Sequence, residues 1–178
     1  MNATSLKQEL KNNHQLFIDF LLQLEESKIL FKSNGKWSPI QNAEHISKSL
    51  LFMNLGLMTP KILIRLFFGS SHRTSISYEQ TIDLYKQKLQ KGAKSDKLYE
   101  PKNNYNKQSI EKTIASLIKN SKKTVELIDN FSEKELDDLQ IPHPILGKIT
   151  LREILYFTIY HVTHHHNLSK QLIDIPQS

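Results

Sequence analysis

The sequence predicts an all-α protein, a four-helix bundle with short connecting helices, and three observations predict it. Apolar residues recur at spacings of three and four along most of the 178 residues, with no convincing strand alternation and no internal repeat. Only five glycines and six prolines punctuate the chain, which favours long elements over frequent tight turns. Helix-start signatures, a serine or threonine followed three residues later by glutamate or glutamine, stand in front of several periodic runs. Helices with one apolar face must bury it against one another, and a bundle does so with short loops. The length suits one domain over residues 1–178.

The first element is expected from about Ser5 to Lys28, where Leu6, Leu10, Phe17, Leu21 and Leu24 form a helical stripe. Gly35 and Lys36 mark a loop. The second opens on Ser38-Pro39-Ile40-Gln41, an N-cap serine with proline at the first helical position and glutamine three residues after the cap. Ala43, Ile46, Leu50, Met53 and Leu57 are its core stripe, and it runs to about Thr59, where Pro60 interrupts it. A short helix to Phe68 follows, then a polar turn through Ser77 and a weaker helical pattern from Tyr78 to Lys91, stopped at Gly92. Residues 93–107 are polar and aperiodic and read as a long surface loop. The third long helix is expected over about Ser109–Phe131, with Ile110, Ile114, Leu117, Ser121, Val125 and Ile128 on one side. Ser132-Glu133-Lys134-Glu135 starts a short helix, and His143-Pro144-Ile145-Leu146-Gly147 is a connecting turn. Thr150-Leu151-Arg152-Glu153 opens the last long helix, which ends near Ile173.

Composition excludes several chemistries. The absence of cysteine removes disulfides, thiolate metal sites and cysteine nucleophiles, so any metal binds through nitrogen and oxygen. The net charge of +6 comes from scattered lysines, with arginine only at Arg65, Arg73 and Arg152. Nucleic-acid readers concentrate basic residues on one face and favour arginine, so the charge reads as solvated helix faces and no nucleic-acid partner is expected. Leu50 to Phe68 is strongly apolar, but Asn54, Gly56, Pro60, Lys61 and Arg65 interrupt it, so it reads as two core-facing segments and no membrane partner is expected. Met1 to Glu9 has no apolar run of the signal-peptide kind, and the cytoplasm is the expected compartment.

The chemistry concentrates in Tyr160-His161-Val162-Thr163-His164-His165-His166. Leu151, Ile154, Thr158, His161, His165, Leu168 and Leu172 follow spacings of three and four, which puts His161 and His165 on the core-facing stripe, one turn apart. Two buried imidazoles side by side are costly unless something satisfies both, and a divalent ion would do so while disfavouring the charged forms. His45, a turn into the second helix and bordering its stripe, would supply a third nitrogen from a facing helix. Three protein ligands leave coordination positions open for water or substrate. The competing reading leaves these histidines hydrogen-bonded to acids or backbone in an amphipathic seam.

Of the remaining residues, His164 and His166 flank the inward pair by about 100° on either side and are expected at the surface. His14, His72 and His143 are expected to be structural or exposed, Glu44 solvated, Trp37 packed at the bundle end near the site, and Tyr85 and Tyr160 pocket donors by residue type alone.

Trp37-Ser38-Pro39-Ile40-Gln41-Asn42-Ala43-Glu44-His45 resembles the second-helix signature of the DinB/YfiT-like metal-binding superfamily. Tyr160-His161-Val162-Thr163-His164-His165 resembles that superfamily's H-x-x-x-H helix, and His143-Pro144-Ile145-Leu146-Gly147 its lead-in loop. The resemblance spans the whole chain. It implies up-down-down-up topology, a three-histidine metal site of His45, His161 and His165, and a homodimer, for which the apolar content of Leu50 to Phe68 also speaks. Where many relatives carry a glutamine three residues after the last ligand, this chain has Leu168, with Gln171 further on.

The cofactor expected is a divalent metal, zinc first and nickel second, with iron or manganese as further fits for imidazole ligands. The function expected is that of a metal-dependent enzyme of the thiol S-transferase or hydrolase kind, with a low-molecular-weight thiol and a small electrophilic substrate as partners. No glutamate of the H-E-x-x-H kind stands beside the ligands, which weighs against hydrolysis. The alternative is a metal-stabilised bundle with a binding or stress-response role and no turnover, which predicts a cavity filled by apolar side chains. A plain helical interaction module with incidental histidines is the third reading.

Overall fold

A computed structural model describes residues 1–33, 35–94 and 96–174 of the chain. Four long helices form the frame: α1 (Ala3–Leu22), α3 (Pro39–Met58), α6 (Lys107–Ile128) and α8 (Leu151–Ile173). Shorter helices α2 (Glu26–Ile29), α4 (Lys61–Phe68), α5 (Tyr78–Gln90) and α7 (Glu133–Asp138) connect them, with one turn of 3-10 helix at Lys97–Tyr99. The chain breaks at Gln23 to Glu25, so the first helix is shorter than its apolar stripe suggests, and Leu24 lies outside it.

Helix starts follow the local chemistry. Ser38, Ser132 and Thr150 each accept from the third backbone N–H of their helix, while Gln41, Glu135 and Glu153 reach back to the cap. Ser77 with Gln80 and Asn106 with Ser109 do the same for α5 and α6. Glu153 is fully buried and also binds Arg73 and the Ile76 backbone N–H, which ties the segment before α5 to the start of α8.

Side-chain contacts give the helix directions. The Met1 amino group meets the Tyr156 hydroxyl and Phe17 packs on His166, so α1 and α8 run parallel. Asn120 bonds Ser47 and Thr124 bonds Asn54, so α3 and α6 also run parallel. Lys7 pairs with Asp129, which sets α1 against α6, and His45 meets His161 while Thr158 meets Met53, which sets α3 against α8. The topology is up-down-down-up. The core between these helices includes Leu6, Leu10, Phe17, Ile40, Ile46, Leu50, Leu117 and Leu155, each at most 2% exposed. Burial of each such side chain contributes about 1.5–3 kcal/mol.

Between α7 and α8 lies a two-stranded antiparallel hairpin that periodicity does not reveal. β1 (Gln140–His143) pairs with β2 (Gly147–Thr150), Ile141 opposite Ile149 and His143 opposite Gly147. Gly147 has φ +79°, a left-handed value that closes the turn at little cost only for glycine. The hairpin lays Ile141, Pro142 and His143 against the open side of the bundle.

At Thr59–Pro60 the chain turns through 101° between α3 and α4, and no single helix among the described residues is long and apolar enough to cross a membrane. The apolar run there is not all core-facing as expected. Leu51, Leu55, Met58, Ile62, Leu66 and Phe67 are 44–76% exposed.

Candidate metal centre

His45, His161 and His165 come together from α3 and α8. All three are buried, at 5–6% exposure, and His161 Nε2 lies 3.1 Å from both His45 Nε2 and His165 Nε2. The two α8 residues meet because four positions make one helical turn, and the antiparallel α3 brings His45 to the same level.

The protonation of this cluster is fixed by its outer contacts. His45 Nδ1 lies 2.9 Å from the Tyr99 carbonyl, an acceptor only, so Nδ1 carries the proton and Nε2 the lone pair. His165 Nδ1 lies 2.6 Å from Asn42 Oδ1. The Asn42 amide is oriented by its Nδ2, which donates to the Trp37 and Ser38 carbonyls, so its oxygen faces His165 and His165 Nε2 is bare as well. Two bare lone pairs therefore converge on His161 Nε2, which has at most one proton to share between them. Burial lowers the pKa of all three, well below 6.5 for His161 and His165, so protonation does not relieve the conflict. A divalent cation relieves it for all three at once. Two nitrogens held at about 2.0–2.1 Å from one ion lie about 2.9–3.4 Å apart for octahedral to tetrahedral angles, which brackets the observed spacing. The donor set fits a divalent ion.

A cavity of about 280 Å³ opens beside the three histidines. Its wall is mainly apolar, with Ile46, Leu50, Met53, Ile141, Ile154 and Phe157, and Trp37 stands at the histidine end with its ring 5.0 Å from that of His45. Trp37 thus sits where the sequence placed it. Tyr85 is buried against Phe157 and lines the cavity, and burial pushes its phenol up to about 12. Tyr160 is not among the lining residues; it is only partly buried and stacks on His164.

Several expectations need correction. The 93–107 segment is not a free surface loop: the part from Asp96 to Tyr105 straps the site, because Gln41 bonds the Lys102 carbonyl, Lys48 the Glu100 carbonyl and His45 the Tyr99 carbonyl. Glu44 is not solvated. It is 8% exposed, accepts from the Tyr105 hydroxyl and the Lys102 N–H, and pairs with Lys48 at 3.0 Å, so it anchors this strap. His166 is buried between Phe17 and Phe20, with ring centroids 5.4 and 4.9 Å away. His164 is half-buried and lines the cavity. Leu168 is 36% exposed, and Ser169 takes the buried position instead. His14 is buried and His143 half-buried, and both line the cavity; His72 is exposed.

Asn42 is the functional contact that sequence reasoning missed. Its signal was its place three residues before His45 on the same helix face.

The family model described as the DinB superfamily matches residues 9–169. Among solved structures, the chain is similar to the crystal structure of TT2238, a four-helix bundle protein, with TM-score 0.54, 14% identity, and coverage of 95% of this chain and 98% of that one. That likeness concerns the fold alone. No curated protein matches the sequence.

Proposed function

The chain belongs to the DinB superfamily, and from that premise we propose that it is a metal-dependent enzyme whose ion is held by the Nε2 atoms of His45, His161 and His165. The observation that carries this reading is the fixed tautomers of His45 and His165, whose bare lone pairs meet at a third imidazole nitrogen in a buried place. Asn42 and the Tyr99 carbonyl orient two of the three rings, the outer support that ligating histidines require. Zinc is the first expectation and nickel the second, with iron or manganese compatible with the same donors.

A bound divalent ion with open positions would supply Lewis acidity, lowering the pKa of a thiol or of water. Of the two chemistries, transfer of a low-molecular-weight thiol to a small electrophile is favoured. Hydrolysis asks for a base beside the ligands; Glu44 is held by Tyr105, Lys102 and Lys48, and Asp96, which lines the cavity, accepts from the Leu98 N–H at the start of the Lys97–Tyr99 turn. Trp37, Tyr85 and the apolar wall exclude water from the reacting groups and accept the electrophile's apolar part. A role without turnover predicts a filled cavity; the open volume of about 280 Å³ favours turnover instead.

The experiment takes untagged protein, measures its metal content, and assays it with bacillithiol or glutathione and a panel of electrophiles. The expected result is about one ion per chain and thiol consumption that stops on chelation. Thiol consumption by the metal-free protein at the same rate would overturn the enzymatic reading.

A further inference from the structure

Gln41, Glu44, His45 and Lys48 recur at spacings of three and four along α3, so they form one strip of that helix. All four bond to the strap from Asp96 to Tyr105. Gln41 Nε2 donates to the Lys102 carbonyl at 2.8 Å and Lys48 Nζ to the Glu100 carbonyl at 2.6 Å. Glu44 accepts from the Tyr105 hydroxyl and the Lys102 N–H, and His45 Nδ1 donates to the Tyr99 carbonyl. One candidate metal ligand is thus also one of the stitches that hold the strap.

The strap is otherwise weakly held. Tyr99, Pro101 and Tyr105 are half-buried and its other seven residues are exposed, so opening it sacrifices little apolar contact. Asp96 and Tyr99 line the cavity, which makes the strap a part of the wall that can move. The two acceptors behind the ligating rings therefore differ. Asn42, behind His165, is 2% exposed inside α3 and pinned by two carbonyls, whereas the Tyr99 carbonyl, behind His45, belongs to the strap. In the metal-free chain the crowding at His161 Nε2 is relieved at least cost on the strap side. The His45 proton moves from Nδ1 to Nε2 and is donated to His161, which turns a lone pair towards the Tyr99 carbonyl and undoes that stitch. A cation on Nε2 bars the shift.

We propose that the strap is a lid coupled to the ion: its closure holds His45 in the ligating tautomer, and the bound ion in turn holds the lid closed. Glu44 and Tyr105 are then positioning residues, which act on His45 through the strap without touching the ion. This deepens the proposed function and rests on an ion at His45, His161 and His165.

Hydrogen exchange of the Asp96–Tyr105 amides is measured on the untagged full-length chain with zinc and after chelation, beside zinc affinity by chelator competition. Zinc should slow exchange in the strap about tenfold, and because coupling is reciprocal its affinity should fall by about the same factor in Glu44→Ala. In that variant the strap should exchange fast with or without zinc. Glu44→Gln, whose amide oxygen can accept the same two bonds, should keep most of the affinity, and Tyr105→Phe should fall between the two. Equal strap exchange with and without zinc bound would overturn the proposal. So would a Glu44→Ala chain that binds zinc as tightly as the unaltered one, or a Glu44→Gln chain as weak as Glu44→Ala. Should Glu44→Ala fail to fold, the unaltered chain and Tyr105→Phe decide. Zinc that binds, is lost in His161→Ala and leaves the strap indifferent sinks this inference alone; zinc that fails to bind, or binds equally in His161→Ala, sinks the metal reading and the lid with it.

Discussion

His165 and His166 are neighbours in sequence and both are buried on α8, yet they face different regions. Towards α3, His165 has its Nδ1 on Asn42 and its Nε2 within 3.1 Å of another imidazole. Towards α1, His166 lies between two phenylalanine rings with a buried Nε2 that has no partner. One region converges its lone pairs and the other isolates one. Burial alone therefore says little about function in this bundle. What distinguishes a metal site is the direction of the second ring nitrogen, which is fixed by an acceptor behind the ring.

The sharpest way to break this contrast is His161→Ala. It removes the nitrogen on which the other two converge, and metal content measured by elemental analysis should fall from about one ion per chain to near zero. Retention of the ion would mean that it binds elsewhere. Titration of the metal-free protein sharpens the contrast from the other side. His14, with its folded-state pKa lowered to about 4 by burial against 6.5 unfolded, is unprotonated in the fold where the unfolded chain takes up a proton. Its contribution is complete above about pH 6.5 and is lost as pH falls towards 4, by at most about 3 kcal/mol. Denaturant unfolding across that window should show the decline, which the other buried histidines share, and His14→Phe should make it shallower.

Asn42 tests the outer contact. Asn42→Ala takes the acceptor from His165 Nδ1 and should weaken metal binding about 10- to 100-fold, while Asn42→Asp, which keeps an acceptor, should largely retain it. Competition with a chelator of known affinity measures both, and equal affinity in Asn42→Ala would remove the orienting role from this contact.

The contrast also explains what could be read from the sequence. The helix starts were legible because capping boxes are local: Ser38 with Gln41 and Thr150 with Glu153 need only the residues of one turn. The pairing of His161 with His165 was legible for the same reason, as one turn of one face. Glu44 was misread because its partners, Tyr105 and Lys102, lie about sixty positions away and turn a polar residue into a buried anchor. His166 was misread because a stripe assumes one buried face, whereas α8 packs against α1, α3, α5 and the hairpin together, so Leu151 to Ile159 are buried on every side. The hairpin was missed because four residues per strand, one of them Pro142, leave too little alternation to detect.

The smallest effect expected is at His166, and its sign is what matters. In His166→Phe an aromatic ring is kept, enlarged from five members to six, and the isolated Nε2 is removed. A buried polar atom with no partner costs about 1–3 kcal/mol in general, so its replacement by carbon should leave stability unchanged or raise it by about 1 kcal/mol. For a chain of this length that is about 2–4 °C in thermal midpoint. The pKa of His166, lowered to about 4 chiefly by burial, adds that the gain should widen between pH 6.5 and 4, where the unfolded histidine would take up a proton and phenylalanine does not. Metal content should not change, because His166 contributes nothing to the converging set. A variant that is less stable and also loses its ion would show that the α1 face supports the metal centre, and the two regions would then have to be treated as one.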